Sequence, residues 1–209
     1  MSAPDTAPSV ALPFLFDHLY RATNINPPLP ELHRTNLPLP DPRWVTATLA
    51  SLKDHGFTFR FFNPTEETMG ADGLCQWFKR DPMTGKMVDD RSLRMSRKIN
   101  SLDALGVAAH ELGHVYTLDP DELRVAFTDP LFRQSPGYAE GEMMAEAVAF
   151  LVAATVDPVR RLPLLRRSMT YLLQYRPLVP FDLWRKRESL VIDAAYTILT
   201  DAAERLETR

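Results

Sequence analysis

The pentapeptide HELGH at positions 110–114, inside the stretch SLDALGVAAHELGHVYTL, constrains this chain more than any other segment. Residues four apart on an α-helix differ by about 40° in rotation and about 6 Å in rise, so His110 and His114 project from one face and can hold one ion between them. Glu111 lies beside them. The flanking residues are apolar, and two imidazoles and a carboxylate turned toward a core need partners there. A fold for this chain therefore has to bring polar groups to this helix. A shuffled chain of the same composition would carry H-E-x-x-H with a probability of about 0.5%; the plain alternative is two ordinary polar residues on a solvated helix face.

Two histidines leave tetrahedral zinc two ligands short, and a catalytic site completes the set with one more protein donor and a water. Glu140, Glu142 and Glu146, in YAEGEMMAEAVAFLVA, are the candidates for that third ligand. Glu142 and Glu146 share a helix face, and their residue type and spacing leave the choice between them open.

The segments around these motifs predict an α+β domain. In DPRWVTATLASLKDHG, Asp41 is a candidate N-cap, Trp44, Val45, Thr48, Leu49 and Leu52 recur at helical spacing, and Gly56 is a stop. FTFRFF, GLCQWFK and SLRMSRKI follow as three short strand-like runs, separated by NPTEETMGAD and RDPMTGKMVDD, and read as a small, mostly antiparallel sheet with hairpin-like connections. Ser101 is the expected cap of the HELGH helix, which runs to about Leu118 with Pro120 just beyond. After a long connection with one helical turn, GYAEGEMMAEAVAFLVAATV predicts a second helix. PLLRRSMTYLLQY and FDLWRKRESLVIDAAYTILTDAAERL predict two more.

With an HExxH helix followed by a helix carrying E-x-x-A-E at Glu142 to Glu146, the chain resembles the zinc metallopeptidases called gluzincins. It resembles more closely the ImmA/IrrE-like peptidases and the metallopeptidase domain of ArdC-type antirestriction proteins. In both, a helix, a small sheet, an HELGH- or HELAH-type helix and an E-x-x-A-(N/E) helix follow in that order, and AEAVAF fits the last. The similarity covers residues 42–156; a recognisable N-terminal single-strand DNA-binding domain of the ArdC type is lacking.

The resemblance implies a zincin-like metallopeptidase in which Zn2+ is held by His110, His114 and Glu142. Glu146 would accept a hydrogen bond from His110 or His114 and fix its tautomer. The reverse assignment of Glu142 and Glu146 also satisfies the spacing. Glu111 would move protons as general base and acid, and the reaction would be limited proteolysis of a regulatory protein. A protein or peptide substrate would lie as an added strand along the edge of GLCQWFK or SLRMSRKI. Tyr116 and Tyr138, by nearness in sequence alone, are the candidate donors to the tetrahedral intermediate. The rival implication is an ArdC-like antirestriction or defence-modulating protein, whose zinc supports the fold while it binds DNA or a protein partner.

The remaining features set bounds. Half of the 18 prolines fall before residue 43, which predicts an extended arm over 1–41 ahead of a domain at 42–209, with a C-terminal helical extension over 160–209. The net charge of −3 argues against a protein gripping phosphates as its main task. Between Val159 and Arg187, however, eight Lys or Arg face one acid, Asp182, so a nucleic acid or an acidic partner could dock on the C-terminal helices. The aromatic residues Tyr171, Tyr175 and Trp184 there read as core.

The single cysteine, Cys75, rules out an internal disulfide and points to a reducing compartment. VALPFLF is broken by Pro13 and no run of about 18 apolar residues occurs, so neither export nor a membrane span is expected, and the cytoplasm is the default. Cys75 could also reach a zinc as thiolate, though a lone strand cysteine is ordinarily core. His18, His33 and His55 show no ligand spacing and read as surface residues.

Overall fold

The computed structural model describes residues 42–63, 71–99, 101–126, 129, 131–175, 178–179 and 181–208. The arm read at 1–41, with Asp41, His18 and His33, lies outside them. The described chain is mixed α+β and mostly helical, with six α-helices and one three-stranded sheet.

Helix α1 (Pro42–Ala50) buries Trp44, Ala47 and Thr48, the i, i+3, i+4 stripe of an amphipathic helix. It tightens into a 3-10 turn at Ser51–His55, closed by Gly56 at φ 71, where the left-handed backbone suits glycine.

Strands β1 (Thr58–Phe62), β2 (Gly73–Arg80) and β3 (Met87–Ser96) form the sheet in the order β1-β3-β2. The β2–β3 pair is an antiparallel hairpin, its turn held by the Asp81 carboxylate, which accepts the Met83 N–H at 2.8 Å, and by Gly85 at φ 68. The β1–β3 pair is parallel. The sheet is therefore mixed, not mostly antiparallel. The reason is topological: successive strands reverse direction, so placing β3 in the middle leaves it running with β1.

β3 also starts at Met87, inside the segment that composition assigns to a connection. Being central, β3 has a neighbour on both sides, so SLRMSRKI offers no edge; the edge beside the HELGH helix belongs to β2, which among the described residues pairs with no further strand.

Helix α2 (Ser101–Thr117) carries HELGH, and Pro120 opens the short helix α3 (Pro120–Ala126). Helix α4 (Pro136–Val156) starts on a Ser135 cap whose hydroxyl accepts the Tyr138 N–H at 3.1 Å, with Pro136 at the first helical position. Buried residues occupy every face of α4, which marks it as the central helix. Helices α5 (Arg161–Leu172) and α6 (Phe181–Glu207) join the same core: Leu172, Val191, Ala195, Ile198 and Leu199 pack in one cluster with Leu112, Val148 and Leu151. No helix among the described residues is long and apolar enough to cross a membrane.

Candidate metal centre

The site forms where α2 crosses α4. Their approach is close because both present small residues: a Cβ at Gly113 would sit 2.8 Å from the Ala145 Cα. That contact brings the i, i+4 pair His110/His114 on α2 opposite the i, i+4 pair Glu142/Glu146 on α4.

His110 Nε2 is 3.4 Å from Glu142 Oε2, and His114 Nε2 is 3.8 Å from Glu142 Oε1. One donor atom from each of the three lies within 4.8 Å of the others. An ion with bonds of about 2.0–2.1 Å and tetrahedral angles separates its donors by roughly 3.4 Å, so the spacing fits a metal of zinc's size. The donor chemistry fits as well, since two imidazoles and a carboxylate are ordinary zinc ligands.

The supports of this set are equally defined. His110 Nδ1 donates to Glu146 Oε2 at 2.9 Å, which leaves Nε2 turned toward Glu142. Ser168 on α5 donates to the other Glu146 oxygen at 2.5 Å, and Tyr171 on α5 donates to Glu142 Oε2 at 2.5 Å. Tyr138 lies close enough to Glu142 to act on its carboxyl as well. His114 Nδ1, by contrast, is buried without a partner among the described residues.

The electrostatics follow from burial of opposite charges. For Glu142, desolvation favours the neutral acid, but hydrogen bonding to His110 and the nearby imidazole charges hold the carboxyl far below its usual range. Burial likewise disfavours protonated His110, yet its bonds to Glu142 and Glu146 win and raise it well above an ordinary histidine. His114, with burial dominant over the attraction of Glu142, is pushed down to about 4. Burial and then the Glu142 charge raise both Tyr138 and Tyr171, keeping the phenols protonated as donors.

Glu111 is buried beside the donor set and outside it. Burial, opposed by His110 and aided by Glu142, pushes its carboxyl up to about 7, with the nearby Cys75 backbone amide holding it back slightly. Gly73 on β2 makes room for it: a Cβ there would fall 2.8 Å from the Glu111 Cγ and Cδ. A cleft of about 670 Å3 opens from this point along β2 toward Tyr138 and Tyr175. A second pocket of about 300 Å3 lies on the other side of His110 and Glu111, floored by Val107, Ala149, Phe150 and Leu164.

Other sequence candidates fall elsewhere. Tyr116 faces away: its hydroxyl bonds His55 Nε2 at 2.8 Å and Asp201 at 3.5 Å, which removes it as a donor at this site and makes His55 a half-buried structural residue. Glu140 is tied to Arg187 at 2.6 Å. The Cys75 thiol is not in the donor group, and burial followed by Glu111 raises it well above an ordinary thiol. Of the C-terminal cations, Arg160 pairs with Asp157, Arg167 with Asp103, and Arg187 with Glu140, so part of that basic excess is committed within the fold.

Sequence reasoning missed Ser168, Tyr171 and Gly73. Ser168 and Tyr171 recur at i and i+3 on α5, with Tyr175 in the turn just beyond it, a stripe with polar tips that an apolar core stripe lacks.

These features define an α+β protein with a His-His-Glu three-donor centre on two crossing helices. The chain matches no protein-family model, no curated protein and no solved structure. The donors themselves therefore carry the functional reading. Replacing Glu142 by alanine is expected to cost metal affinity more than the roughly 10–100-fold expected for Glu146→Ala, which removes only the orienting bond to His110. Competitive titration with a chromophoric chelator measures both, and the opposite order would exchange the roles of the two carboxylates.

Proposed function

We propose that the protein is a zinc-dependent, zincin-like metallopeptidase that hydrolyses peptide bonds, with limited proteolysis of a regulatory protein as its task. The observation that carries this reading is the position of Glu111. A purely structural zinc needs four closed ligands and no neighbouring carboxylate, whereas this centre offers three donors and a buried carboxylate next to them, on the wall of an open cleft.

Bound zinc supplies Lewis acidity, which polarises an amide carbonyl and lowers the pKa of a water from 15.7 to about 7. Glu111 takes the proton of the attacking water and delivers it to the departing amine. His110, pinned by Glu146, and Glu142, pinned by Tyr171, keep their lone pairs aimed at one point. Tyr171 spends its single O–H on Glu142, so Tyr138, on the cleft wall, is the hydroxyl left to donate to the oxyanion, and Tyr116, bonded to His55, is not. The substrate segment lies along the free edge of β2, where main-chain hydrogen bonds give hold without strict sequence demands.

Digestion of a proteome-derived peptide library tests the proposal. Zinc-loaded protein is expected to cut at discrete sites, chelation to stop cutting, and added zinc to restore it. Metal-loaded protein that binds zinc one to one yet leaves the library and folded cell-lysate proteins intact would refute the peptidase reading.

A further inference from the structure

The cleft is electrically lopsided. On the small-pocket side its one arginine, Arg167, is neutralised by the Asp103 carboxylate. The larger lobe, along β2, carries Arg94 and Arg133, and among the described residues its only acids are Glu111 and Glu142 at the metal centre itself.

Arg94 sits on β3 opposite Leu74, reaching across the sheet so that its Nη2 donates to Gln76 Oε1 at 2.8 Å. Its Nε is buried without a partner, and no carboxylate pairs with it among the described residues. Asp90, the nearest acid in that hydrogen-bond chain, is already taken by Gln76 Nε2 at 2.9 Å and by Lys79. Arg133 is exposed on the opposite bank, close enough for its charge to act on Tyr138 and Tyr175. A half-buried guanidinium normally finds a carboxylate, because its planar fork matches one and its desolvation needs offsetting. Here no such carboxylate is present among the described residues, and Arg94 lines the cleft.

We infer that the larger lobe selects acidic peptide segments, with Arg94 and Arg133 gripping one or two Asp or Glu side chains, or a terminal carboxylate, on one side of the bond to be cut. This rests on the cleft being where a peptide lies, as proposed above. A strand added to β2 alternates its side chains between the Leu74–Gln76 face, toward Arg94, and the opposite face, toward the helices. Two cations beside a carboxylate-bearing centre suit a peptide with one or two acids better than a nucleic acid, which presents a charge at every backbone step.

The test separates binding from turnover. Fluorescein-labelled hexaglutamate and hexaglutamine peptides are titrated into zinc-loaded, full-length Glu111→Gln protein, with fluorescence anisotropy as readout. The acidic peptide is expected to bind at least about tenfold more tightly. Adding Arg94→Gln and Arg133→Gln should equalise the two, and Arg133→Glu, an exposed change that leaves the sheet intact, should favour hexalysine instead. Equal binding of both peptides by the parent protein, or a preference that survives loss of both arginines, overturns the inference. So does an unlabelled oligothymidine that displaces hexaglutamate at lower concentration than hexaglutamate displaces itself, since the lobe is then a phosphate site. Because no hydrolysis is required, failure of the peptidase reading and failure of this inference give different results. In active protein, the same specificity would appear as acidic residues enriched on one side of the cleavage site.

Discussion

Glu111→Gln is expected to lower peptide hydrolysis by about 10³-fold or more while zinc remains at one equivalent per chain. The reasoning starts from what glutamine preserves. It has the same size, so it fits the space that Gly73 leaves. Position 111 is not one of the three donors, so the donor set is unchanged. What it loses is the ability to take a proton from water and return it to the leaving amine, the single task assigned to Glu111. Zinc content by atomic absorption and cleavage of a peptide found in the library digest, measured on the same samples, check both halves. A variant that keeps its full rate removes Glu111 from the chemistry; one that loses zinc makes Glu111 part of the metal's support instead.

The parts of this site legible in the sequence are those encoded by helical period. His110 and His114, and Glu142 and Glu146, each announce a shared face by their spacing, because four residues is nearly one turn. The spans of α1, α2, α4 and α6 follow from the same period, and Gly56 from its need for a left-handed backbone. What the sequence withholds is the pairing of distant segments. Alternating apolar residues identify β1, β2 and β3 as strands without saying which lies between the others, so the parallel β1–β3 pair and the free edge of β2 were not readable. Tyr171 and Ser168 look like any amphipathic stripe until α5 docks on α4 and their hydroxyls meet Glu142 and Glu146. Tyr116 shows the converse: being two residues from His114 in sequence places it on another side of α2, against His55.

The glycine of HELGH provides the sharpest test of the crossing on which the centre depends. By helix propensity alone, Gly113→Ala should stabilise α2 by about 1 kcal/mol. The structure predicts the opposite sign. The new methyl would lie 2.8 Å from the Ala145 Cα and 3.2 Å from its Cβ and carbonyl oxygen, and a backbone atom in a buried helix cannot swing aside as a side-chain tip can. Helices α2 and α4 would have to part, at a net cost of about 1–3 kcal/mol typical of overpacking. For a chain of this length that lowers the melting temperature by roughly 2–4 °C for each kcal/mol. Zinc affinity should fall by about tenfold or more at the same time, because the histidines lie on one side of that contact and Glu142 on the other. Gly106→Ala is the control: it sits on the same helix with nothing within 4 Å of its would-be Cβ, so propensity acts unopposed and the protein should gain about 0.5–1 kcal/mol. Thermal unfolding of both variants, with and without zinc, decides the matter. If both substitutions stabilise, Gly113 does not set the spacing of α2 and α4; if both destabilise equally and spare zinc binding, the effect belongs to helix α2 and not to its crossing with α4.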